Sequence, residues 1–351
     1  MTNSVELLKT LLGIPSPTFK EKEKTDFLEN WIKTNLPSFS VNRIGNNIIA
    51  THLNNHTNLA FVGHTDTVPE FFEPYESNGL LYGSGASDMQ SGLAAYLVFI
   101  KENLTSLLNN YSLTIIIYDK EEGTALHENG LNELIVKIPE SIRSIDVAMV
   151  AEPTNNTIQL GCVGSLHYTV TIAGKAAHSA RPWNGENALY KALPLIKKIS
   201  EIEPLKQPIY EVDFYDVIDI TESHSAPGRT TVPDEWVCNI NYRFSPNHTL
   251  DDARGYVLSN IESLNIDGLL INELNAVNAG NVIEHPLLDK AKSILTVEAK
   301  QAWTDVAQLS ELGICAFNFG PGLQSQAHLP NEHVCINHIT DYENLLAKLL
   351  L

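Results

Sequence analysis

The stretch "GHTDTVP", residues 63–69, follows the apolar run 59–62 and puts a histidine and an aspartate two positions apart where a predicted buried strand ends. Alternate side chains of a strand point to the same side, so His64 and Asp66 are predicted to share one face. Taken alone, the stretch is equally typical of a polar strand end that turns into a loop closed by Pro69. Partners elsewhere in the chain decide between these interpretations.

Four apolar runs share this feature, because each of them ends in acidic residues or histidine. They are "LAFVGHTD" with His64 and Asp66, "LTIIIYDKEEG" with Glu121 and Glu122, "DVAMVAEP" with Glu152, and "ICAFNFGPGLQSQAH" with His328. Short apolar runs between helical segments predict parallel strands that are buried on both faces. Ligands collect beyond the carboxyl ends of such strands, so the four endings are predicted to converge.

A glycine-rich turn, "YGSGASDMQSG", precedes a predicted helix and contains Asp88. An aspartate near a helix start is favoured as a cap, so capping is the alternative to a functional role for Asp88. The turn is not a phosphate-binding loop, because it lacks the Lys-Ser/Thr ending and its central acid would repel phosphate.

The converging side chains predict a metal site. Five carboxylates in one crevice repel one another unless cations neutralise them. Imidazole and carboxylate ligands without thiolate suit zinc in an open catalytic site, and the set is large enough for two ions that share a carboxylate. One of the adjacent Glu121 and Glu122 can bind metal while the other acts as general base, and Asp66 can orient His64. Without the other strand ends, "KEEG" would be interpreted as a solvated turn.

Composition limits the class of protein. The chain has 351 residues, which predicts two domains, and its formal net charge of -19 argues against a nucleic-acid partner. The four cysteines are isolated in sequence, which is typical of reduced thiols in a cytoplasmic protein. The amino terminus is predicted to form an amphipathic helix that ends near Pro15 rather than a signal peptide. No stretch is long and apolar enough to predict a membrane span.

The middle of the chain has a different pattern. Strand-like stretches "LHYTVTIAG", "EVDFYDVIDIT" and "DEWVCNINYRF" alternate with helical segments at about 185–200 and 250–262. This pattern predicts a small α+β domain inserted into the first domain. The predicted organisation is a catalytic domain formed by residues 1–164 and 273–351, with the inserted domain at residues 165–272. Helices near 285–299 and 303–312 are predicted in the last part.

Nearly the whole chain resembles the dinuclear-zinc metallopeptidase family that contains succinyl-diaminopimelate desuccinylases, acetylornithine deacetylases and glutamate carboxypeptidases. The matching stretches are "GHTDTVP", "YGSGASDMQSG", "DKEEG", "AEPT", "GKAAHSARPWNGENA", "NYRFSP", "WTDVAQLSELGICAFNFGPG" and "QAHLPNEHV". The resemblance implies an α/β catalytic domain with a mixed, mainly parallel sheet flanked by helices, and an inserted α+β dimerisation and lid domain. It also implies two zinc ions per subunit, cobalt as a substitute metal, and a homodimer.

The resemblance also implies a role for each residue of the predicted site. One zinc would bind His64, Asp88 and Glu152, and the other would bind Asp88, Glu122 and His328, with Asp88 as the bridge. Glu121 would be the general base and Asp66 the orienting acid. Glutamate at position 152, where aminopeptidase-type members tend to carry aspartate, favours the deacylase and carboxypeptidase branches.

Further positions match substrate-contacting residues of the family. His178 matches a histidine that stabilises the oxyanion in the partner subunit's site, and Arg243 matches an arginine that binds a substrate carboxylate. The alternatives are a surface strand-end histidine and a strand-face arginine in an ion pair. Many relatives carry Gly-Asn where this chain has Gly228-Arg229-Thr230, so if that asparagine contacts the substrate, either Arg229 or Thr230 is predicted to replace it. Gly320 is a further predicted substrate contact.

The resemblance favours one reaction, the removal of succinate from N-succinyl-LL-2,6-diaminopimelate in lysine and diaminopimelate synthesis. The stretches "WTDVAQLSELGICAFNFGPG" and "VPDEWVCNINYRFSP" carry this likeness. The same chemistry on N-acetylornithine, or on a peptide with a carboxyl-terminal glutamate, is the nearest alternative. A non-catalytic relative that binds a small molecule is a more distant alternative, marked by the loss of a ligand or of Glu121, and none is missing.

Overall fold

The computed structural model describes residues 3–68, 71–225 and 228–351, so that Pro69 of the opening stretch lies outside the described residues. The first part of the chain contains helices α1 (Asn3–Leu12), α2 (Lys22–Asn35), α3 (Ser91–Leu108), α4 (Gly130–Lys137) and α5 (Pro139–Arg143). Its strands are β1 (Ser40–Ile44), β2 (Asn47–His52), β3 (Thr57–His64), β4 (Tyr75–Ser77), β5 (Leu80–Tyr82), β6 (Tyr111–Tyr118), β7 (Val147–Val150) and β8 (Ile158–Leu160).

The remaining elements follow in two groups. The middle contains β9 (Gly164–Ala173), β10 (Ala177–His178), α6 (Ala188–Ser200), β11 (Leu205–Ile209), β12 (Val212–Ser225), β13 (Thr231–Val232), β14 (Glu235–Phe244), α7 (Leu250–Glu262) and β15 (Leu269–Val277). The last part contains α8 (Pro286–Ile294), β16 (Val297–Ala299), α9 (Val306–Glu311), β17 (Cys315–Asn318), β18 (His333–Cys335) and α10 (Ile336–Leu350). Among the described helices, none combines the length and apolarity that a bilayer crossing requires.

The chain divides into two compact units. The first comprises Met1–Gly161, Asn281–Glu298 and Gln308–Leu351, and the second comprises Cys162–Gly280 and Ala299–Ala307. The predicted limits of the inserted domain, 165 and 272, fall inside the second unit. This unit also includes Ala299–Ala307, which the sequence patterns had placed in the catalytic domain. One local prediction is wrong, because the helix predicted at 285–299 ends at Ile294 and the chain then forms β16.

The first unit is built on a mixed sheet with strand order β1-β2-β6-β3-β7-β17-β8-β16 in the described residues. Its central strands β6, β3, β7 and β17 are mutually parallel, as predicted for apolar runs buried on both faces. Helices α1, α3 and α10 pack against one another, α3 contacts β3 and β6, and α2 and α4 contact β2. The first ten residues of α3 are all buried, as expected for a helix that is apolar all round.

The second unit is an antiparallel sheet with strand order β11-β12-β14-β9-β15, and α6 and α7 pack on it. Alternate residues of β9 and β14, such as Tyr168 and Ile240, form a core with the buried stripes of the two helices. The residues between them face the other side of the sheet and are mostly polar, with Val237 as an apolar exception. Helix α7 begins with a capping box between Thr249 and Asp252.

Candidate metal centre

The predicted ligands lie at one edge of the sheet of the first unit. His64 is the last residue of β3 and pairs with Tyr118, the last residue of β6, after which Glu121 and Glu122 follow. Glu152 comes two residues after β7, the parallel neighbour of β3 on its other side. The carboxyl ends of adjacent parallel strands meet at one edge, and this arrangement brings together residues that are far apart in the sequence.

Three of these side chains are placed so that they could hold one metal ion. One nitrogen of His64 and one carboxylate oxygen each of Asp88 and Glu122 all lie within 4.8 Å of one another. His64 Nε2 is 3.4 Å from Asp88 Oδ1. His328 lies next to two of them, with its Nε2 at 2.9 Å from Glu122 Oε2 and 3.9 Å from Asp88 Oδ2. These four residues therefore form a cluster of nitrogen and oxygen ligand atoms, which we call the metal cluster.

The metal cluster fits a divalent cation. His64 is fully buried, and its Nε2 has no hydrogen-bond partner within the part of the chain that the structure describes. A buried ring nitrogen is costly to leave without a partner, and here it points toward two carboxylates. A cation among these groups would satisfy the nitrogen and offset the repulsion between the acids. Imidazole and carboxylate without thiolate is the ligand set of catalytic zinc sites.

His64 is oriented by Asp66. Its Nδ1 lies 3.0 Å from the Asp66 carbonyl oxygen and 3.4 Å from Asp66 Oδ1, which leaves Nε2 for a metal. Burial lowers the pKa of His64, but Asp66 and Asp88 outweigh burial and hold the pKa well above its usual value. A metal ion would replace the proton that these acids favour on the ring.

Asp66 also holds the turn that carries the two glutamates. Its Oδ1 accepts the N–H of Glu121 at 3.1 Å, its Oδ2 accepts the N–H of Glu122 at 2.9 Å, and the hydroxyl of Thr18 donates to Oδ2 at 3.2 Å. Burial alone would raise the pKa of Asp66, yet His64 and the two backbone N–H groups lower it. The buried carboxylate therefore connects the end of β3 to the turn after β6.

Glu122 and His328 form a hydrogen-bonded pair. Burial raises the pKa of Glu122, and the hydrogen bond to Glu122 raises the pKa of His328 to about 9. Glu152 is buried two residues after β7, and Glu121 is half-buried, but neither belongs to the group of ligand atoms that lie within 4.8 Å of one another in the described residues. Their roles as ligand and general base stay predictions.

Asp88 does not cap a helix. It lies in an irregular turn, Ala86–Gln90, and its backbone angles are not helical. The capping position of α3 is Gln90, whose side chain makes no capping hydrogen bond. The capping alternative for Asp88 is therefore wrong, and its side chain points into the metal cluster instead.

The second unit brings His178, Arg229 and Thr230 together. His178 pairs with Thr231 between β10 and β13, and the N–H of Ser179 donates to the Thr230 carbonyl at 2.8 Å. His178, Arg229 and Thr230 are all exposed. Their positions fit a surface that receives a ligand or a partner, and their roles stay predictions.

Arg243 lies on the polar face of the second unit's sheet. It is half-buried, and its Nε donates to Asn241 Oδ1 at 3.1 Å. No carboxylate of the described residues lies within 4.0 Å of its guanidinium, which argues against the ion-pair alternative. A half-buried guanidinium in these surroundings is suited to an external anion.

Comparison with known proteins identifies the family. The profile of Peptidase family M20/M25/M40 matches residues 60–351. The chain belongs to this family. A succinyl-diaminopimelate desuccinylase of Corynebacterium glutamicum is 35% identical to this M20 chain, over 99% of the chain and 95% of the relative.

Solved structures show the same fold. An M20 metallo-carboxypeptidase of Sulfolobus solfataricus has a TM-score of 0.78 at 18% identity and covers 100% of this chain and 99% of its own. A dinuclear metal-binding M20 peptidase of Bacillus subtilis has a TM-score of 0.68 at 12% identity and covers 99% of this chain and 96% of its own. The predicted fold class is confirmed.

Gly320 has a packing role in this M20 chain. A Cβ at this position would lie 2.5 Å from the Glu152 carbonyl oxygen. Its N–H donates to Thr154 Oγ1, and its carbonyl accepts from Thr154 Oγ1 and from the N–H of Asn156. The N–H and carbonyl of Gly320 thus form hydrogen bonds within the protein, and its role in substrate binding stays a prediction.

Two buried charged residues near the M20 metal cluster were not found from the sequence. Glu332 accepts hydrogen bonds from the turn that carries Asp88, and Lys24 is buried in α2. The only sequence signal for Glu332 is its position four residues after His328. Lys24 stands among five other charged or polar residues in "KEKEKT", a pattern that predicts an exposed helix face.

Proposed function

We propose that this chain is a two-metal amidohydrolase that removes succinate from N-succinyl-LL-2,6-diaminopimelate. The observation that carries the proposal is the convergence of His64, Asp88 and Glu122 ligand atoms within 4.8 Å. The similarity of the whole chain to the desuccinylase of Corynebacterium glutamicum supports the substrate.

The proposed ligand sets follow the family resemblance. His64, Asp88 and Glu152 would hold one zinc ion, and Asp88, Glu122 and His328 would hold the other. The short distances from His328 to Glu122 and Asp88 support the second set. When bound, the two ions polarise the amide carbonyl and make water more acidic.

The proton transfers are assigned to Glu121. It takes a proton from the attacking water, the water oxygen bonds to the amide carbon, and the carbon–nitrogen bond then breaks. Glu121 returns the proton to the leaving amine, so that succinate and the free amine result. Asp66 supports this role, because its carboxylate fixes the N–H groups of both Glu121 and Glu122.

Recognition of the substrate is assigned to the second unit. Arg243 would bind a substrate carboxylate, and its lack of a carboxylate partner among the described residues supports this role. Arg229 or Thr230 would take the place of the asparagine that many relatives carry, and the added cation of Arg229 suits a substrate rich in carboxylates. His178 would stabilise the oxyanion in the partner subunit's site of a homodimer.

The compartment and the metal also belong to the proposal. All four cysteines are free thiols, which supports a reducing, cytoplasmic location. The nitrogen and oxygen ligand set supports zinc, with cobalt as a substitute.

The test is amide hydrolysis by the zinc-loaded protein. We expect kcat/KM for N-succinyl-LL-diaminopimelate to exceed the values for N-acetylornithine and a glutamyl-terminated dipeptide by at least about a hundredfold. Removal of metal with a chelator should abolish turnover, and added zinc should restore it. Preference for another of the three substrates would contradict the desuccinylase assignment and keep the hydrolytic chemistry.

A further inference from the structure

Glu332 is a buried carboxylate outside the predicted ligand set. Its side chain is fully buried, and it accepts three backbone hydrogen bonds from one turn. Oε1 accepts the N–H groups of Ser87 and Asp88, both at 2.8 Å, and Oε2 accepts the N–H of Gly85 at 2.7 Å. One of these three donors belongs to the residue whose side chain occupies the centre of the metal cluster.

The same turn is joined to the Glu332 segment by further hydrogen bonds. The N–H of Gly83 donates to the Glu332 carbonyl at 3.1 Å, and the Ser87 hydroxyl donates to the His333 carbonyl at 2.7 Å. Glu332 follows His328 by four residues. The hydrogen bonds therefore connect the two chain segments that carry Asp88 and His328.

The electrostatics of Glu332 are those of a carboxylate held by backbone dipoles. The three converging N–H groups form a concavity that favours a carboxylate, and the two oxygens of Glu332 accept all three bonds. Both oxygens accept hydrogen bonds from the 85–88 turn, which connects Glu332 to the backbone of Asp88.

We propose that Glu332 is a positioning residue that fixes Asp88 relative to His328 and thereby sets the metal affinity of the cluster. The inference rests on the proposed function, because it takes Asp88 and His328 as ligands. An outer partner of a metal ligand commonly contributes ten- to hundredfold to affinity. Here the contact acts through the backbone of the ligand residue rather than through its side chain.

The test is zinc affinity, measured by competition with a chromophoric chelator. Glu332→Gln keeps the shape of the side chain but turns an N–H donor toward the turn, where an acceptor is needed. We expect its zinc affinity to be about ten- to a hundredfold weaker than that of the wild type. The matched control is Glu343→Gln, since Glu343 is a partly buried carboxylate that accepts a hydrogen bond from Ser4, away from the turn. The control should keep wild-type affinity.

A second variant keeps the test valid if Glu332→Gln fails to fold. Glu332→Asp keeps two acceptor oxygens but is one methylene shorter, and we expect an affinity between those of Glu332→Gln and the wild type. The visible spectrum of the cobalt-loaded proteins should change in both Glu332 variants and not in Glu343→Gln. Wild-type zinc affinity and spectrum in folded Glu332→Gln or Glu332→Asp would overturn the positioning role alone. Absence of zinc binding by the wild type would overturn the proposed function and this inference together.

Discussion

At the scale of single residues, two adjacent glutamates after β6 are given different tasks. Glu122 contacts His328 in the metal cluster, whereas the proposed role of Glu121 is that of general base. Both backbone N–H groups are held by Asp66, so substitution of one side chain leaves the turn in place. The two roles can therefore be separated by mutation.

We expect Glu121→Gln to lower kcat by at least about a hundredfold, because general-base catalysis contributes that much or more. KM and the amount of zinc bound per chain should stay close to wild type. Steady-state kinetics and metal analysis on the same sample measure these quantities. Glu128→Gln, an exposed change a few residues further on, is the control. Wild-type turnover in zinc-loaded Glu121→Gln would contradict the assignment.

The burial of Lys24 is expected to make the free energy of unfolding depend on pH. It is 1% exposed, and burial lowers its pKa to about 7, although Asp66 and Glu332 act in the opposite direction. Between pH 7 and the ordinary lysine pKa, the unfolded chain binds a proton that the native chain does not. The contribution of Lys24 to the free energy of unfolding therefore rises with pH in this window.

We expect Lys24→Met to be more stable than the wild type at pH 7, with an advantage that shrinks by about 2 kcal/mol by pH 9. Urea unfolding of chelator-treated protein at both pH values measures this difference. Lys22→Met, which removes an exposed lysine from the same helix, controls for the loss of a helix lysine. A difference between Lys24→Met and wild type that is equal at pH 7 and pH 9 would contradict the prediction.

At the scale of elements, α3 contacts the chain just beyond β7 at a glycine. A Cβ on Gly92 would lie 2.5 Å from the Ala151 carbonyl oxygen and 2.8 Å from Ala151 Cβ. Ala151 is buried and immediately precedes Glu152. The absence of a side chain at Gly92 thus permits the helix to pack beside a strand end of the candidate site.

We expect Gly92→Ala to lower the free energy of unfolding by about 1–3 kcal/mol, the usual cost of overpacking. Glycine to alanine in an exposed helix interior normally stabilises by about 0.5–1 kcal/mol, so the steric clash has to outweigh that gain. Gly255→Ala in α7 is the matched control, since a Cβ there would meet nothing within 4 Å. Thermal and urea unfolding would show opposite signs for the two variants, and a stabilised Gly92→Ala would contradict the packing argument.

Sequence patterns predicted the parallel strands and most of their polar endings. Apolar runs define β3, β6, β7 and β17. Because these strands run in the same direction, His64 and Glu122, which come at or after their carboxyl ends, are predicted to lie at the same edge of the sheet. Glu332 and Lys24 escaped prediction for a physical reason. The first depends on three N–H groups that converge only after the 85–88 turn has formed, and the second is buried although its neighbours in sequence are polar. Both facts depend on tertiary packing rather than on local pattern.

At the scale of the whole molecule, the second unit exposes apolar side chains on one face of α6. Tyr190 is 68% exposed and Leu193 is 54% exposed, and their spacing of three places them on the same side of the helix. Trp183, shortly before the helix, is also exposed. An unpartnered apolar face of this kind supports the proposed homodimer.

We expect the wild type to be a dimer and Leu193→Asp to be a monomer in light scattering coupled to size-exclusion chromatography. A charge in a desolvated subunit interface has no partner, which is why association should be lost. Val136→Asp, a similarly exposed position in the first unit, should leave the dimer intact. A dimeric Leu193→Asp would exclude this face as the subunit interface.

The residues of the metal cluster are far apart in the sequence, and this has a consequence during synthesis. Roughly 260 positions separate His64 from His328, and the whole second unit is translated between them. At about 5–20 residues per second, the ribosome takes roughly 15–50 s to travel from one to the other. During that time the nascent chain contains His64, Asp88 and Glu122 but not yet His328. The second proposed ligand set, Asp88, Glu122 and His328, is therefore completed only near the end of synthesis, whereas the first proposed set is already present once Glu152 has been made.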